Sequence, residues 1–341
     1  MPRFGVLLVA LLAVGAFLLP GTVAAPKARA AGPIIIRFAS LAPSGSSFMK
    51  VSKAWNRTIK KETEGRVELR FYSGGSQGDE RDFVRKIRAG QMDGAGVSTV
   101  GLGMVARPVL VLSAPGLLTE YDALVRARIA LNERFEKMFE DAGFVLLNWG
   151  EAGKYRLFST KPFAKPADLK TGRPWAWKDD PVFAEIINVI GANPVRMGLP
   201  EVYGGLQTRM VDTVPSSALA AVALQWYTRL EYMAKQNFSV LIGGGIIKRE
   251  KFNELTEHDR KVVLSASARA SKANDAVVRR DDLRAYEALV KRGIVEVDTT
   301  PHQAEWDAVM KKARENLAGR VYSKSLLEAV SYTHLTLPTN T

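Results

Sequence analysis

The sequence predicts an α/β protein with two lobes and a cleft between them. Three observations support this fold class. Strand-like and helix-like segments alternate along the chain, which favours parallel strands joined by crossover helices. Roughly 300 residues follow an N-terminus typical of exported proteins, and a single hydrophobic core is usually formed by fewer residues than this. Hydrophobic residues make up 47% of the chain, which is enough to fill two cores.

The N-terminus has the order of a secretory signal peptide. Arg3 precedes an apolar stretch from Val6 to Leu19, and small residues follow up to Ala30. The stretch is shorter than the roughly 20 residues that a bilayer-spanning helix needs, which argues against the alternative of a membrane anchor. We expect residues 1–31 to be a signal peptide cleaved near Ala30, giving a periplasmic protein with no stable membrane insertion.

Charge and cysteine content narrow the classes of partner and chemistry. The formal charge of +13 would suit a nucleic-acid-binding protein, but Lys and Arg alternate with Asp and Glu instead of forming blocks. We therefore expect no nucleic-acid partner. The chain has no cysteine, which excludes disulfides, thiolate catalysis and thiolate metal sites.

The first lobe begins with a strand–helix–strand–helix–strand series. The five segments are a strand at Ile34–Ala39, a helix from the Ser44–Ser47 hydroxyls to Glu64, a strand at Val67–Tyr72, a helix at Asp79–Ala89 and a strand at Met92–Ser98. Apolar spacing then predicts a helix over Tyr121–Ala142, a buried strand over Phe144–Trp149 and a further strand from Lys154.

A second series of the same kind predicts the second lobe. It comprises strands near Pro174–Lys178, Pro194–Met197, Val211–Val214 and Val240–Ile247, with helices at Pro181–Ile190, Pro200–Gln207 and Ser217–Arg229. One long charged helix over Glu257–Lys291 follows. Ligands of open α/β sheets bind beyond the carboxyl ends of strands, so the loops at those ends should line the cleft.

The last eleven residues, from Ser331 to Thr341, break the preceding pattern. They are rich in Thr and carry no charge, and they resemble a translated adaptor sequence. We interpret them as a non-native tail, detached from the helical pattern before it.

Recognisable catalytic and metal-binding patterns are lacking in the sequence. The three histidines, His258, His302 and His334, show no metal-ligand spacing. Asp79-Glu80 and Asp179-Asp180 would suit acid/base chemistry, but such pairs are more typical of helix N-termini. We expect no cofactor, no metal and no enzyme, with an exported α/β enzyme as the remote alternative.

Several ordered segments resemble one family. The text YSGGSQGDERDFVRKIRAGQMDG from Tyr72, KPFAKPADLKTG from Lys161 and GANPVRMGLPEVYGGLQTRMVDT from Gly191 is similar to solute receptors of tripartite ATP-independent periplasmic (TRAP) transporters, of the DctP type. The resemblance extends over about residues 34–320. It implies a periplasmic-binding-protein-like fold with a hinge-spanning helix, and a receptor that hands an organic acid to the membrane subunits of a TRAP transporter.

The family pattern also implies lobe boundaries. Lobe I would comprise residues 33–153 with about 240–275, and lobe II residues 154–239 with about 276–325. A module serving a sensor or a lipid-handling complex is the alternative, and genes for two multispan proteins beside this one would favour transport. We expect the receptor to be a monomer.

One departure from the family pattern bears on the ligand. The family's usual carboxylate-clamping arginine aligns with Trp175, which lies on the same strand face as Trp177. The chain therefore resembles an atypical branch, and we expect an acid with a larger apolar or aromatic body than a four-carbon dicarboxylate. The alternative is that both indoles are core residues. The candidate ligand-binding residues are Trp175, Trp177, Arg156, Gln77, Ser98, Thr99, Ser216, Arg196, Gln225 and Trp226.

Overall fold

The computed structural model describes residues 32–336, with side chains as far as Thr333. The expected signal peptide, residues 1–31, lies outside the described residues, and so does the end of the C-terminal tail, residues 337–341. Among the described residues, no helix is long and apolar enough to cross a membrane.

Ten strands are assigned within residues 32–336. They are β1 (Ile34–Ser40), β2 (Val67–Tyr72), β3 (Gly94–Ser98), β4 (Phe144–Ser159), β5 (Trp175–Trp177), β6 (Val195–Met197), β7 (Thr213–Ser216), β8 (Tyr232–Ala234), β9 (Ser239–Lys248) and β10 (Val295–Val297).

The first group of strands has the order β2-β1-β3-β9-β4. β1 pairs in parallel with both β2 and β3, as the alternating strand–helix pattern predicts. β9 then enters antiparallel between β3 and β4. The parallel part of the sheet is thus confirmed, and the antiparallel strands that complete it come from distant parts of the chain.

β4 continues beyond the first group into a second one. Its C-terminal half pairs antiparallel with β7 and β8, and β8 pairs in parallel with β10. The sequence predicts two strands over Phe144–Thr160, but this expectation is wrong, because one bulged strand runs from Phe144 to Ser159. β5 and β6 form a separate parallel pair.

Eleven α-helices lie within residues 32–336. They are α1 (Ser47–Glu62), α2 (Glu80–Arg88), α3 (Thr99–Val105), α4 (Tyr121–Asp141), α5 (Pro181–Ile190), α6 (Val202–Gln207), α7 (Ala218–Ala223), α8 (Arg249–Asn253), α9 (Glu257–Lys291), α10 (Gln303–Leu317) and α11 (Lys324–Thr336). Short 3₁₀ segments cover Arg107–Ser113, Pro166–Leu169, Leu199–Glu201, Trp226–Arg229 and Thr300–His302.

Local capping chemistry sets the helix ends that matter for the site. Asp79 caps α2 in a capping box with Asp82. Asp180 caps α5, which starts at Pro181 and is followed by the C-cap Gly191, whose φ of +86° suits glycine. α9, whose bounds match the prediction, packs against α1, α7 and β4, so it contacts both strand groups.

Other predicted segments differ from the structure. The helix expected over Ser217–Arg229 is broken at Gln225, whose φ is +60°, into α7 and a 3₁₀ turn. The helix α11 runs on to Thr336, so the helical pattern does not end at Ser331. The lobe boundaries remain a prediction.

Candidate functional site

A cavity of about 300 Å³ lies where the two strand groups meet. Residues at the carboxyl ends of β1 and β3, the middle of β4 and β9, and the neighbouring helices α1, α5, α7 and α9 border it. This is where open α/β sheets bind ligands. The loops predicted to line the cleft contribute Ala42, Ser47, Ser98 and Trp177 among others.

Five tryptophans border this cavity, which is therefore called the tryptophan-walled cavity. The chain has six tryptophans, and those that border the cavity are Trp55, Trp149, Trp175, Trp177 and Trp226. The rings of Trp175 and Trp177 lie 6.0 Å apart, and Trp226 meets Trp175 edge-on at 5.5 Å. Such a wall offers a large, rigid apolar surface with indole N–H groups as polar handles.

The indole N–H groups of the two strand tryptophans have different hydrogen-bond acceptors. Trp175 is 2% exposed and donates from Nε1 to the Met197 carbonyl at 3.0 Å, so it belongs to the core as well as to the cavity wall. Trp177 is more open, and its Nε1 donates to Asp79 Oδ2 at 2.8 Å. The alternative reading of Trp175 as a core aromatic therefore describes part of its environment.

A glycine run forms another part of the wall. Gly243, Gly244 and Gly245 lie in β9 between β3 and β4. A Cβ on Gly244 would stand 2.6 Å from the Asn148 carbonyl oxygen, and one on Gly243 would overlap the Val97 carbonyl. The close backbone approach that glycine permits is what this segment requires.

The charged side chains that border the cavity are acidic. They are Glu80, Glu151 and Asp180, and no lysine or arginine borders it among residues 32–336. Glu80 is buried and accepts from Ser98 N at 2.6 Å, Ser98 Oγ at 2.8 Å and Gly101 N at 2.8 Å. Burial raises the pKa of Glu80 to about 7, against the lowering effect of these hydrogen bonds.

The other two carboxylates also have protein partners. Glu151 receives Nε and Nη2 of Arg279, each at 2.7 Å, and burial raises its pKa. Asp180 accepts from the backbone N of Val182 and Phe183 at the start of α5, and burial raises its pKa as well. Each carboxylate is committed to the fold, so none is left as an unpaired acid or base.

The structure brings six of the predicted site residues to the cavity. They are Ser98, Thr99, Trp175, Trp177, Ser216 and Trp226. The hydroxyls already donate within the protein: Thr99 Oγ1 to the Ile242 carbonyl at 2.9 Å and Ser216 Oγ to the Ser217 carbonyl at 3.0 Å. Their oxygens stay free to accept, and a rotated hydroxyl would donate to a bound solute.

The remaining four predicted residues lie away from the cavity lining. Arg156 is buried, with Nη1 donating to the Lys235 carbonyl at 2.6 Å and its guanidinium 4.5 Å from the Tyr286 ring centroid. Gln77 accepts from Lys86 Nζ, and the exposed Arg196 donates to the Lys178 carbonyl. Gln225 precedes the 3₁₀ turn in a left-handed conformation. The cationic contacts expected from Arg156 and Arg196 therefore do not reach this cavity.

The family model for bacterial extracellular solute-binding proteins, family 7 (DctP), matches residues 38–320. This chain belongs to that family. Its members are solute-binding proteins, and the TRAP receptors among them are periplasmic. The resemblance that the sequence motifs carry is confirmed.

Curated relatives of this solute-binding protein are distant. A solute-binding protein of Chromohalobacter salexigens is 24% identical over 230 residues, covering 67% of this chain and 68% of the relative. The C4-dicarboxylate-binding periplasmic protein of Rhodobacter capsulatus is 20% identical over 300 residues, covering 87% and 90%.

Solved structures share the fold at similarly low identity. A TRAP periplasmic solute-binding protein of Shewanella oneidensis with bound succinate has a TM-score of 0.83 and 17% identity, covering 89% of this chain and 100% of that one. One from Desulfovibrio salexigens with bound orotic acid has a TM-score of 0.81 and 18% identity, covering 88% and 98%. The predicted periplasmic-binding-protein-like α/β fold is confirmed.

Sequence reasoning missed several cavity residues of this solute-binding protein. Asn148 borders the cavity while its Oδ1 accepts from Gly245 N at 2.8 Å. Tyr155 borders it too, its ring 4.8 Å from that of Phe238. Both lie on β4, and a reading of Phe144–Ser159 as one strand between two sheets would have drawn attention to its central residues.

Proposed function

We infer that this protein is an extracytoplasmic receptor that binds a small organic acid in the tryptophan-walled cavity and delivers it to a TRAP-type membrane transporter. The observation that carries this inference is the cavity itself, which lies between the two strand groups of a family 7 solute-binding fold. The acids named in the structures of its relatives, succinate and orotic acid, support an acid as the solute.

The cavity favours a single acid group on a bulky apolar or aromatic body. A buried carboxylate is costly unless a partner compensates it. No lysine or arginine borders the cavity among the described residues, and three carboxylates do. A second acid group would therefore lack a cationic partner, whereas an aromatic body would pack against the indoles of Trp175, Trp177 and Trp226.

Neutral polar groups would receive the acid group of the solute. Ser98, Thr99 and Ser216 border the cavity with hydroxyls, and Asn148 borders it with an amide. We further propose that the receptor is an exported monomer, processed near Ala30, without cofactor, metal or catalytic activity. Among the described residues, no group of three or more His, Asp or Glu side chains is placed to hold a metal ion.

A thermal-shift and calorimetry panel tests the function and the solute class together. Benzoate, phenylacetate, 4-phenylbutyrate and orotate should raise the melting temperature, while succinate and malate should not. A solute at 100 times its Kd stabilises the fold by about 2.7 kcal/mol. Mass spectrometry of the solute that co-purifies with the protein gives an independent identification.

Two tryptophan variants locate the binding site. Trp175→Phe should weaken binding of the tightest-binding acid of the panel, because the cavity wall loses part of its apolar surface. Trp306→Phe is the matched control, since Trp306 is also buried but does not itself border the cavity. Binding of succinate and malate alone would overturn the solute class, and binding of no acid would overturn the function.

A further inference from the structure

Asp79 connects two parts of the chain that approach each other at the edge of the cavity. It caps α2, and its Oδ1 accepts from Glu80 N at 2.8 Å. Its Oδ2 faces away from the helix and accepts from Trp177 Nε1 at 2.8 Å and from Leu199 N at 3.1 Å. One carboxylate thus holds a helix of the first strand group, the β5 strand and the turn after β6.

The chain opposite Asp79 is shaped for this close approach. A Cβ on Gly198 would stand 2.7 Å from Asp79 Oδ2, so a side chain at position 198 would push the carboxylate away. Asp79 is half-buried, and burial raises its pKa while the hydrogen bonds from Trp177, Glu80 and Leu199 lower it. These hydrogen bonds go to a carboxylate that is partly withdrawn from water, where such bonds are strong.

The same contacts separate two cavities. Glu80, Trp177 and Leu199 border the tryptophan-walled cavity of about 300 Å³. Their chain neighbours border a second cavity of about 500 Å³, whose lining residues are Asp79, Arg81, Asp82, Arg85, Lys178, Asp179, Gly198, Pro200 and Glu201. Arg81 and Arg85 are exposed there, so this second cavity faces solvent. Asp79, Trp177 and Leu199 therefore form the partition between the solute cavity and an outer, charged pocket.

We propose that Asp79 is a positioning residue for solute retention, which holds Trp177 and Leu199 in the partition so that release of the solute requires these two hydrogen bonds to open. This role rests on the proposed function, since it concerns the solute of the same cavity. The bound acid leaves the cavity through the partition beside Trp177. The strength of the hydrogen bonds to Asp79 therefore sets the dissociation rate of the acid.

Two substitutions each remove the hydrogen bond between Trp177 and Asp79, one while keeping a helix cap and the other while keeping an aromatic ring. Asp79→Ser keeps a good N-cap residue for α2 but is too short to reach Trp177. Trp177→Phe keeps an aromatic wall but has no N–H to donate. Asp179→Ser is the control, because Asp179 borders the same outer pocket and its ion pair, at 3.6 Å, is with the exposed Arg81.

The first measurement needs no solute. In a ¹⁵N spectrum of the tryptophan indoles, Trp177→Phe assigns the Trp177 signal by its disappearance. In Asp79→Ser this signal should shift and its N–H should exchange with water faster, while Asp179→Ser should leave it unchanged. An unchanged Trp177 signal in folded Asp79→Ser protein would overturn the proposed contact.

The second measurement is the dissociation rate of 4-phenylbutyrate, or of the tightest-binding acid of the panel, by stopped-flow tryptophan fluorescence. Asp79→Ser and Trp177→Phe should each speed dissociation roughly tenfold, the scale of one charge-assisted hydrogen bond. The double variant should add little to either single one, because all three lose the same contact. Rates within twofold of the parent protein would overturn the retention role, whereas failure of every acid to bind would overturn the proposed function instead.

Discussion

Two pairs of adjacent carboxylates, Asp79-Glu80 and Asp179-Asp180, lie at the starts of helices α2 and α5 but have different roles. In the first pair the cap is Asp79, so Glu80 falls inside the first turn of α2 and turns towards Ser98 and Gly101. In the second pair the cap is Asp180, so Asp179 lies outside α5 in the outer pocket. A shift of one residue relative to the helix start decides whether the carboxylate that does not cap the helix is buried, as Glu80 is, or lies in the outer pocket, as Asp179 does.

The two pairs also differ in how far along the chain their hydrogen-bond partners lie. Glu80 and Asp79 bind groups that lie 18 to 120 positions away along the chain. Asp180 binds the backbone two and three residues ahead. The first pair should therefore affect the whole fold and the cavity, whereas Asp180 should affect mainly its own helix.

The largest expected effect is that of Glu80→Ala. It leaves three donors without an acceptor: Gly101 N, which is buried, and Ser98 N and Ser98 Oγ, which are partly buried. We expect the free energy of unfolding to fall by roughly 3–5 kcal/mol. Urea denaturation measures it, with Glu80→Gln as the control that retains one acceptor oxygen. A loss below about 1 kcal/mol would mean that these donors find water or other partners.

A pH dependence of stability should follow from Glu80. Its pKa is raised from 4.5 to about 7, so between these values the folded protein holds a proton that the unfolded chain releases. The stabilising contribution of this group is therefore complete below about pH 4.5 and is lost as the pH rises through 7. The full change is at most about 3 kcal/mol.

Glu80→Gln tests this dependence, because glutamine does not titrate. The difference in unfolding free energy between the parent protein and the variant should move in favour of the variant from pH 5 to pH 8. Parallel stability curves for the two proteins would assign the pH dependence to other groups.

A smaller effect is expected for Asp180→Ala. It removes the N-cap of α5. In the parent protein, Asp180 Oδ1 accepts hydrogen bonds from the backbone N of Val182 and of Phe183. Loss of such a cap costs about 1–2 kcal/mol. Asp180→Ser retains a capping hydroxyl and should recover most of this in urea denaturation. Equal losses in the two variants would show that the charge, and not the cap, matters.

The smallest effect is expected for Asp179→Ser. The carboxylate of Asp179 has an ion-pair partner in Arg81 at 3.6 Å, and Arg81 is largely exposed. Exposed pairs of this kind contribute little, so the melting temperature should change by an amount equivalent to about 0.5 kcal/mol or less. A loss as large as that of Asp180→Ala would remove the contrast between the two members of this pair.

Elements with strong local signals were predictable from the sequence. The strand Val67–Tyr72 and the helices Pro181–Ile190 and Glu257–Lys291 have the predicted bounds. The strand has alternating residues, the first helix is bounded by Pro181 and Gly191, and the second is capped by Thr256. Each of these signals lies in or next to the segment that it defines. The helix N-terminal placement of both carboxylate pairs is confirmed for the same reason.

The candidate site was predictable only in part. Ser98, Thr99 and the Trp-Ala-Trp strand follow from the rule that sheets bind ligands at strand ends, and they border the cavity. Arg156 and Arg196 are predicted because a bound acid favours a cationic partner. The structure commits them to the Lys235 and Lys178 carbonyls instead.

The sequence by itself determined the family, the α/β class and the positions of most helices and strands, because hydrophobic periodicity and capping residues act over a few positions. Only the tertiary structure decided that Phe144–Ser159 is one strand shared by the two strand groups, that five tryptophans from four separate parts of the chain meet around one cavity, and that Asp79 reaches Trp177. These features depend on contacts between residues far apart in the chain, and no local pattern encodes which distant partner a side chain meets.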